Sequence, residues 1–258
     1  IFELRKIINK LNHQNNNIFV SNINYANVIT ILALRKYSNL KIILTERTAI
    51  KELDIYFGIK DFIKKKITKF LIKFLYKKTD VVIANSKKSS NNLKKLCKTK
   101  VKTIYSPAFK KFNKKIKKKN IVKKLLSVGR LSKEKGYETL IHAVNLIKDK
   151  TFVLDIIGDG EQKNDLKKLI KQFKLKDKIF LRGYQKNPDK YFKKADLYIN
   201  CSFFEGFPNS VVEAISFNLP IICSKSHGGI NEIVSNGKGA HFFDAGNYSE
   251  LANLISKF

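Results

Sequence analysis

The chain has 258 residues, of which 43% are hydrophobic, and this ordinary apolar fraction excludes wholesale disorder. Its 52 Lys and Arg residues against 21 Asp and Glu residues give a net charge of +31, which favours anionic partners such as lipid headgroups, nucleic acid or phosphorylated substrates. Because lysine is spread along the whole chain, a lysine-rich composition that only maintains solubility also explains the charge. No apolar run approaches the ~18 residues that a membrane-spanning helix needs.

The start of the sequence and the cysteines give further indications of the type of protein. The chain begins at Ile1 and contains no methionine, so we expect a segment that lacks the start of its protein. Cys97, Cys201 and Cys223 have no C-x-x-C spacing, and the last two end apolar runs, where a thiol serves as a small core residue. We therefore expect reduced thiols and a cytoplasmic protein, peripheral at the cytoplasmic membrane face if the charge meets lipid.

Short apolar strands alternate with helical stretches from end to end. The predicted strands lie at 18–21, 41–45, 80–84, 101–105, 125–129, 152–158, 179–183, 197–201, 221–224 and 240–243. The clearest helical patterns lie at 86–97, 136–148, 161–174 and 210–218. Apolar strands that alternate with helices are typical of parallel sheets covered on both faces, so the sequence predicts an α/β fold.

The segment 106–122 divides this pattern. It contains a proline and a dense run of lysines without a helical apolar stripe, which indicates a linker. We predict a partial N-terminal Rossmann-like domain at 1–115 and a fuller C-terminal Rossmann-like domain at 116–258, both with parallel sheets.

Residues 60–78 form the sharpest basic feature. Their apolar residues fall on one helical stripe, made of Phe62, Ile63, Ile67, Phe70, Leu71, Phe74 and Leu75. Two interpretations are compatible: the stripe packs on the sheet, as in an ordinary surface helix, and the basic face meets an anionic membrane. We expect the stripe to pack, and the membrane contacts are predicted at Lys64, Lys65, Lys69 and Lys73.

Residues 205–213 read E-G-F-P-N-S-V-V-E. The Gly/Pro turn places Glu205 on the lip of a loop and Glu213 one turn into the following helix, so both can face a polar ligand at the helix N-terminus. A competing role exists for Glu213, because Ser210 and Glu213 have the spacing of a capping box. Glu205 has no such local role.

Residues 127–136 read S-V-G-R-L-S-K-E-K-G and place Arg130 and Lys135 at a strand-to-helix turn. Ligands of open α/β sheets bind at the carboxyl ends of strands, where Arg and Lys bind phosphate. A plain turn is the simpler interpretation for Gly158-Asp159-Gly160, since a lone G-x-G is a weak pattern. Two cations for a diphosphate and two carboxylates for hydroxyl groups indicate a nucleotide-sugar site.

The four histidines lack metal-ligand spacing and no D-x-D occurs, so no metal is expected.

Together these segments resemble the retaining glycosyltransferases of family 4, which have the B-type fold (GT-B) of two Rossmann-like domains. The resemblance covers 123–258 and includes I-I-G-D-G-E, F-L-R-G-Y, A-D-L-Y-I-N-C-S-F-F-E-G-F-P-N-S-V-V-E-A and H-G-G-I-N-E-I-V in family order. Residues 1–122 resemble the later part of the acceptor domain, with T-E-R-T (45–48) at a polar active-site turn. The first strands, their glycine-rich loop and a histidine in that turn are missing, so the roles of Glu46 and Arg47 stay open.

The resemblance implies roles for individual residues. Arg130 and Lys135 would hold the donor diphosphate and stabilise the leaving group, without a metal or other cofactor. Glu205 would contact the donor sugar and Glu213 the ribose. The remaining donor-binding residues would be Gly129, Gly206, Phe207 and Asn209 around sugar and phosphate, with the backbone of Arg182 and Tyr184 at the base.

With this resemblance, we expect a metal-independent, retaining glycosyltransferase. It would use a nucleotide-sugar donor, most simply a UDP-sugar, and a glycan or lipid-linked acceptor in cell-surface polysaccharide synthesis. The alternatives are a same-fold nucleotide-sugar epimerase or glycan synthase, and a non-enzymatic basic module that binds membrane or nucleic acid. No nucleic-acid partner is expected, because no RNA- or DNA-binding motif is visible.

Overall fold

The computed structural model describes residues 1–10, 17–108, 122–148, 151–226, 228–234 and 239–258. They form two compact units. The N-terminal unit comprises Ile1–Ser106 with Glu205–Phe207 and His227–Gly229, and the C-terminal unit comprises Pro107–Phe204, Pro208–Ser226 and Ile230–Phe258. Most of the predicted linker, the predicted boundary at 115/116 and His227 of the H-G-G segment lie outside the described residues, so the predicted domain limits stay a prediction.

The N-terminal unit is built on a four-stranded parallel sheet in the order β1-β2-β3-β4. Its strands are β1 (Asn17–Asn22), β2 (Leu40–Glu46), β3 (Val81–Ala84) and β4 (Val101–Thr103), and its helices are α1 (Phe2–Asn9), α2 (Asn24–Leu34), α3 (Ile59–Leu75) and α4 (Lys87–Cys97). Helix α4 begins where the Ser86 hydroxyl accepts a 3.1 Å hydrogen bond from the Ser89 amide, the usual N-cap arrangement. Side chains from strands and helices form one core, centred on Ile31, Leu44, Leu53 and Ile72.

The C-terminal unit contains a six-stranded parallel sheet in the order β10-β9-β8-β5-β6-β7. Its strands are β5 (Lys123–Val128), β6 (Phe152–Ile157), β7 (Ile179–Leu181), β8 (Leu197–Asn200), β9 (Ile221–Ser224) and β10 (Ala240–Phe243). Its helices are α5 (Tyr137–Leu146), α6 (Lys163–Gln172), α7 (Asp189–Lys194), α8 (Asn209–Ser216), α9 (Ile230–Ile233) and α10 (Tyr248–Lys257). The strand order reverses between β5 and β8, and in open α/β sheets ligands bind outside the carboxyl ends of the strands at such a point.

The predicted α/β fold with parallel sheets is confirmed. All ten predicted strands are present, with ends that shift by a few residues, and the four helical patterns correspond to α4, α5, α6 and α8. Every residue of β8 and β9 is buried, as expected for strands covered by helices on both faces. The three cysteines are buried. Within the described ranges, no helix combines the length and the apolar character needed to cross a membrane.

Helix α3 contradicts most of the prediction that its apolar stripe packs: Leu71 and Leu75 contact the core, but the other five stripe residues do not. Its buried residues are Lys65, Thr68, Ile72 and Leu75, whereas Phe62, Ile63, Ile67, Phe70 and Phe74 of the predicted stripe are exposed. On the buried side, Lys65, which is only 8% exposed, bonds to the Asp61 carboxylate at 2.9 Å and to the Ile55 carbonyl at 2.7 Å. A stripe on a helical wheel shows that a face is apolar, not what covers it.

The same packing corrects the membrane contacts predicted for α3. The contact predicted for Lys65 is wrong, because its ammonium group is buried. Lys69 forms an ion pair with Asp54, and Lys64 lies 4.0 Å from the centre of the Tyr25 ring. Lys73 is exposed, and its Nζ lies 5.8 Å from the centre of the Phe74 ring.

Candidate functional site

The predicted cations lie at the carboxyl end of the central strand β5. Lys135 ends a short 3-10 turn (Lys133–Lys135) that follows the loop carrying Arg130. The aliphatic part of Lys135 crosses the end of the strand: its Cδ and Cε lie 3.7 and 3.8 Å from where a Cβ on Gly129 would be. Arg130 is exposed, and its guanidinium lies 3.5 Å from the Glu134 carboxylate. Gly129, Arg130 and Lys135 are therefore brought together in one place.

This cationic turn is fixed against the chain that leaves the neighbouring strand β8. The Phe203 amide donates a 2.8 Å hydrogen bond to the Glu134 carbonyl. Gly136 has φ of +67°, and a Cβ there would lie 2.3 Å from the Cys201 carbonyl oxygen, so the position requires glycine. The two contacts place Lys135 at the switch point between β5 and β8.

The G-D-G loop after β6 supports the same turn from the other side. A Cβ on Gly158 would lie 1.9 Å from the Gly129 carbonyl oxygen, and the Leu131 amide donates to the Asp159 carbonyl at 2.9 Å. The Asp159 carboxylate is occupied by Lys163 at 2.6 Å. These contacts favour the interpretation of this loop as a structural turn that positions residues 129–131.

Glu213 is the fifth of the eight residues of α8 and is half-buried. The capping-box alternative is wrong, because the helix begins at Asn209 with Pro208 as its N-cap, so Ser210 is already inside the helix and makes no cap hydrogen bond. Burial raises the pKa of the Glu213 carboxyl, and the negative charge of Asp189 raises it further. Its carboxylate is therefore not committed to the helix N-terminus, which leaves it available to a ligand. Asn209 is exposed at the first helical position.

The loop after β7 carries the two residues predicted to meet the base. The Arg182 side chain forms a 2.5 Å ion pair with Asp155 and lies 4.5 Å from the centre of the Phe180 ring. Tyr184 is 75% exposed. The Gly183 carbonyl accepts a 2.9 Å bond from the Gly158 amide, which joins this loop to the G-D-G loop. The Arg182 amide donates to the Ile156 carbonyl at 2.9 Å, and the Arg182 carbonyl accepts from Gln185 Nε2 at 3.0 Å. The predicted contact of this loop with a base stays a prediction.

Glu205, Gly206 and Phe207 belong to the N-terminal unit. A Cβ on Gly206 would lie 1.9 Å from the Arg47 carbonyl oxygen, so only glycine fits. The Gly206 carbonyl accepts from the Gly229 amide at 2.9 Å, and the Phe207 ring lies 5.4 Å from that of Tyr105. Glu205 is half-buried. Its predicted convergence with Arg130 and Lys135 stays a prediction.

Sequence reasoning missed a buried polar network at the end of β2. The Glu46 carboxylate, 2% exposed, accepts hydrogen bonds from the Tyr76 hydroxyl and from Asn27 Nδ2, the latter at 2.9 Å. Burial raises its pKa to about 7, helped by the charge of Glu52 and opposed by those two hydrogen bonds. Nothing local in T-E-R-T indicates this network, since Tyr76 is thirty residues away in sequence. Glu46 is a buried positioning group, while Arg47 is exposed.

In the described part of the chain, no cluster of three or more His, Cys, Asp or Glu side chains has the arrangement of a metal site. That the protein acts without a metal ion stays a prediction.

Comparisons with known proteins give the family and the fold. A family model described as glycosyl transferases group 1 matches residues 108–258, which is more than half of the chain. An uncharacterized glycosyltransferase of Methanocaldococcus jannaschii is 32% identical over 192 residues, covering 68% of this chain and 47% of that protein. The N-acetylgalactosamine-N,N'-diacetylbacillosaminyl-diphospho-undecaprenol 4-alpha-N-acetylgalactosaminyltransferase of Campylobacter jejuni is 29% identical over 225 residues, covering 82% of this chain and 58% of that protein. The chain thus spans about half the length of these curated relatives.

A solved structure extends the likeness to the fold. Anabaena HepE, crystallised with UDP and glucose, has a TM-score of 0.75 at 19% identity and covers 99% of this chain and 70% of its own. This likeness shows the fold, which is the GT-B type α/β architecture with parallel sheets that the sequence predicts.

Proposed function

The chain belongs to the glycosyl transferases group 1 family, and on that premise we propose that it is a retaining glycosyltransferase of family 4 that uses a UDP-sugar donor without a metal ion. Its acceptor is a glycan or a lipid-linked glycan precursor at the cytoplasmic face of a membrane. The observation that carries this proposal is the position of Lys135 and Arg130 at the reversal of strand order between β5 and β8.

The two cations suit the diphosphate of such a donor. Lys135 is half-buried across the end of β5, where its charge is less screened than on an open surface. Arg130 is exposed beside it, with its guanidinium 3.5 Å from the Glu134 carboxylate. Positive charge placed where the leaving diphosphate develops negative charge stabilises the transition state, which is the task a metal performs in other enzymes. This is why we propose metal-independent transfer.

The carboxylates suit the hydroxyl groups of the donor. Glu213 is partly withdrawn from water and not used as a helix cap, so it can accept hydrogen bonds from the ribose. We assign Glu205, on the segment that follows β8, to the hydroxyl groups of the sugar. Gly206, Phe207 and Asn209 complete the donor site through their backbone, with Gly129 below the diphosphate and the chain at Arg182 and Tyr184 beside the base.

The relatives support the choice of donor and acceptor. The Campylobacter jejuni protein is named for a diphospho-undecaprenol acceptor, and the Anabaena structure is described with UDP and glucose. In the proposed transfer, the bond from the sugar C1 to the diphosphate oxygen breaks and a bond from C1 to the acceptor oxygen forms on the same face. The acceptor proton passes to the departing diphosphate, which Arg130 and Lys135 hold in place.

Calorimetric titration of UDP into the 258-residue chain tests the donor site. Lys135→Ala removes a charge-assisted hydrogen bond to phosphate, so it should weaken UDP binding about 10- to 100-fold. The matched control is Lys133→Ala, which removes an exposed lysine from the same turn and should leave the affinity within about twofold. Uridine, which has no phosphate, should bind the parent and Lys135→Ala proteins equally. Equal effects of the two substitutions, or a loss that uridine shares, would reject the diphosphate role.

A further inference from the structure

Helix α3 presents an apolar face to solvent. We call this the outward face of α3; its members are Ile59, Ile63, Ile67, Phe70 and Phe74. These side chains are between 43% and 71% exposed. They recur at three- and four-residue spacing, so they form one continuous strip along a helix of 17 residues. A contiguous exposed apolar strip of this kind marks an interaction surface, whereas single exposed apolar residues are ordinary.

Positive charge borders this strip. Lys60, Lys66, Lys73 and Lys77 are all exposed and adjoin the outward face of α3. Lys66 Nζ lies 5.6 Å from the centre of the Phe62 ring, and Lys73 Nζ lies 5.8 Å from that of Phe74. The single acid of the helix, Asp61, is bonded to the buried Lys65 on the opposite side. The outward face therefore combines apolar side chains with uncompensated positive charge.

This combination selects one type of occupant. A second copy of the chain would bring its own lysines against these lysines, and the net charge of +31 adds to that repulsion. An anionic lipid surface offers negative headgroups at the level of the lysines and a hydrocarbon boundary at the level of the aromatic and branched side chains. Helices that lie in a membrane interface have this arrangement.

We propose that α3 lies in the interface of an anionic membrane, with Ile63, Ile67, Phe70 and Phe74 inserted among the lipids and Lys66 and Lys73 at the headgroups. The contacts differ from those that the sequence predicts, since insertion depends on the apolar strip that packing leaves exposed. The binding is independent of sugar transfer. A chain that binds UDP but not vesicles would contradict this inference alone.

Tryptophan fluorescence gives a direct test, because the chain contains no tryptophan. Phe70→Trp places a single reporter on the outward face of α3, and its emission should shift to the blue when vesicles containing phosphatidylglycerol are added. Leu146→Trp is the matched control, since Leu146 is 50% exposed near the end of α5 and should not shift. No shift at position 70, or equal shifts at both positions, would overturn the proposal. A blue shift at position 70 without vesicles that grows with protein concentration would also overturn it, in favour of a second copy.

Vesicle flotation separates the contributions of the apolar side chains and of the lysines to membrane binding. The double variant Ile63→Ser/Phe70→Ser should lower binding to anionic vesicles tenfold or more, because exposed apolar groups lose their lipid contact while the core is untouched. Lys66→Gln/Lys73→Gln should lower it about 25-fold at low salt, about fivefold per lysine. Lys167→Gln/Lys171→Gln removes the same charge from exposed positions on α6 and should change it less than threefold. Equal losses for the two lysine pairs, or equal binding to neutral phosphatidylcholine vesicles, would show only nonspecific attraction and overturn the proposal.

Discussion

Glu46 shows that a polar residue at a predicted active-site turn can belong to the buried interior of the fold. It occupies the turn that the resemblance assigns to the active site, yet its carboxylate is enclosed by Tyr76 and Asn27. A carboxyl group buried among neutral partners is more easily kept protonated than charged, which is the cause of its raised pKa. These hydrogen bonds tie the end of β2 to Asn27 and Tyr76.

This burial predicts a pH dependence of stability. Between its usual value of 4.5 and about 7, Glu46 binds a proton in the folded chain but not in the unfolded chain. The free energy of unfolding should therefore gain from this group at acid pH and lose that gain as the pH rises through 7, by up to about 3 kcal/mol. Glu46→Gln should remove the slope, measured by urea unfolding between pH 4.5 and 8. The exposed Glu161→Gln should keep it, and an unchanged slope in Glu46→Gln would contradict the assignment.

At the scale of elements, the turn before α5 depends on the shape of its backbone. Gly136 and Gly183 have nearly the same positive φ, +67° and +70°, but a Cβ would meet the Cys201 carbonyl at the first and nothing within 4 Å at the second. Gly183→Ala should therefore lower the free energy of unfolding by about 1–2 kcal/mol, from left-handed backbone strain alone. Gly136→Ala adds a clash with the chain leaving β8 and should lower it by clearly more. Equal losses in denaturant unfolding would mean that the turn is not fixed against β8.

The elements also show which features of the structure can be predicted from the sequence. Strands such as β8 and β9 are buried at every position and mostly apolar because both faces are covered, so short apolar runs in the sequence are enough to locate them. The cationic turn is predictable because its residues are neighbours in the chain. The face that α3 buries is not predictable in this way, since it includes a lysine, Lys65, that is paired with Asp61 and the Ile55 carbonyl. The Glu46 network and the contact of Gly206 with Arg47 join distant segments, so no local pattern indicates them.

At the scale of the whole molecule, we propose that positive charge takes the place that a metal ion has in many diphosphate sites. If Arg130 and Lys135 neutralise the donor phosphates, UDP should bind with the same affinity in excess EDTA as in millimolar Mg²⁺. Calorimetry in the two buffers measures this directly. An affinity at least tenfold higher with Mg²⁺ would mean that the two cations are insufficient and that the metal-independent proposal is wrong.

The same excess of charge has a second consequence. The protein should bind any polyanion nonspecifically through its positive charge, and this binding should weaken steeply as salt is added. Binding of UDP should fall less with salt, because Lys135 is half-buried over the end of β5. Comparing UDP with heparin at 50 and 300 mM NaCl separates the two, and parallel losses would argue that UDP binds only as one more anion.

The most direct test of the proposed donor site is a crystal structure of the chain with UDP. We predict the diphosphate beside Gly129 at the end of β5, with a phosphate oxygen about 2.7–2.9 Å from Lys135 Nζ and a second within reach of the Arg130 guanidinium. UDP bound elsewhere, or a diphosphate at this strand end that leaves both cations in solvent, would contradict the account.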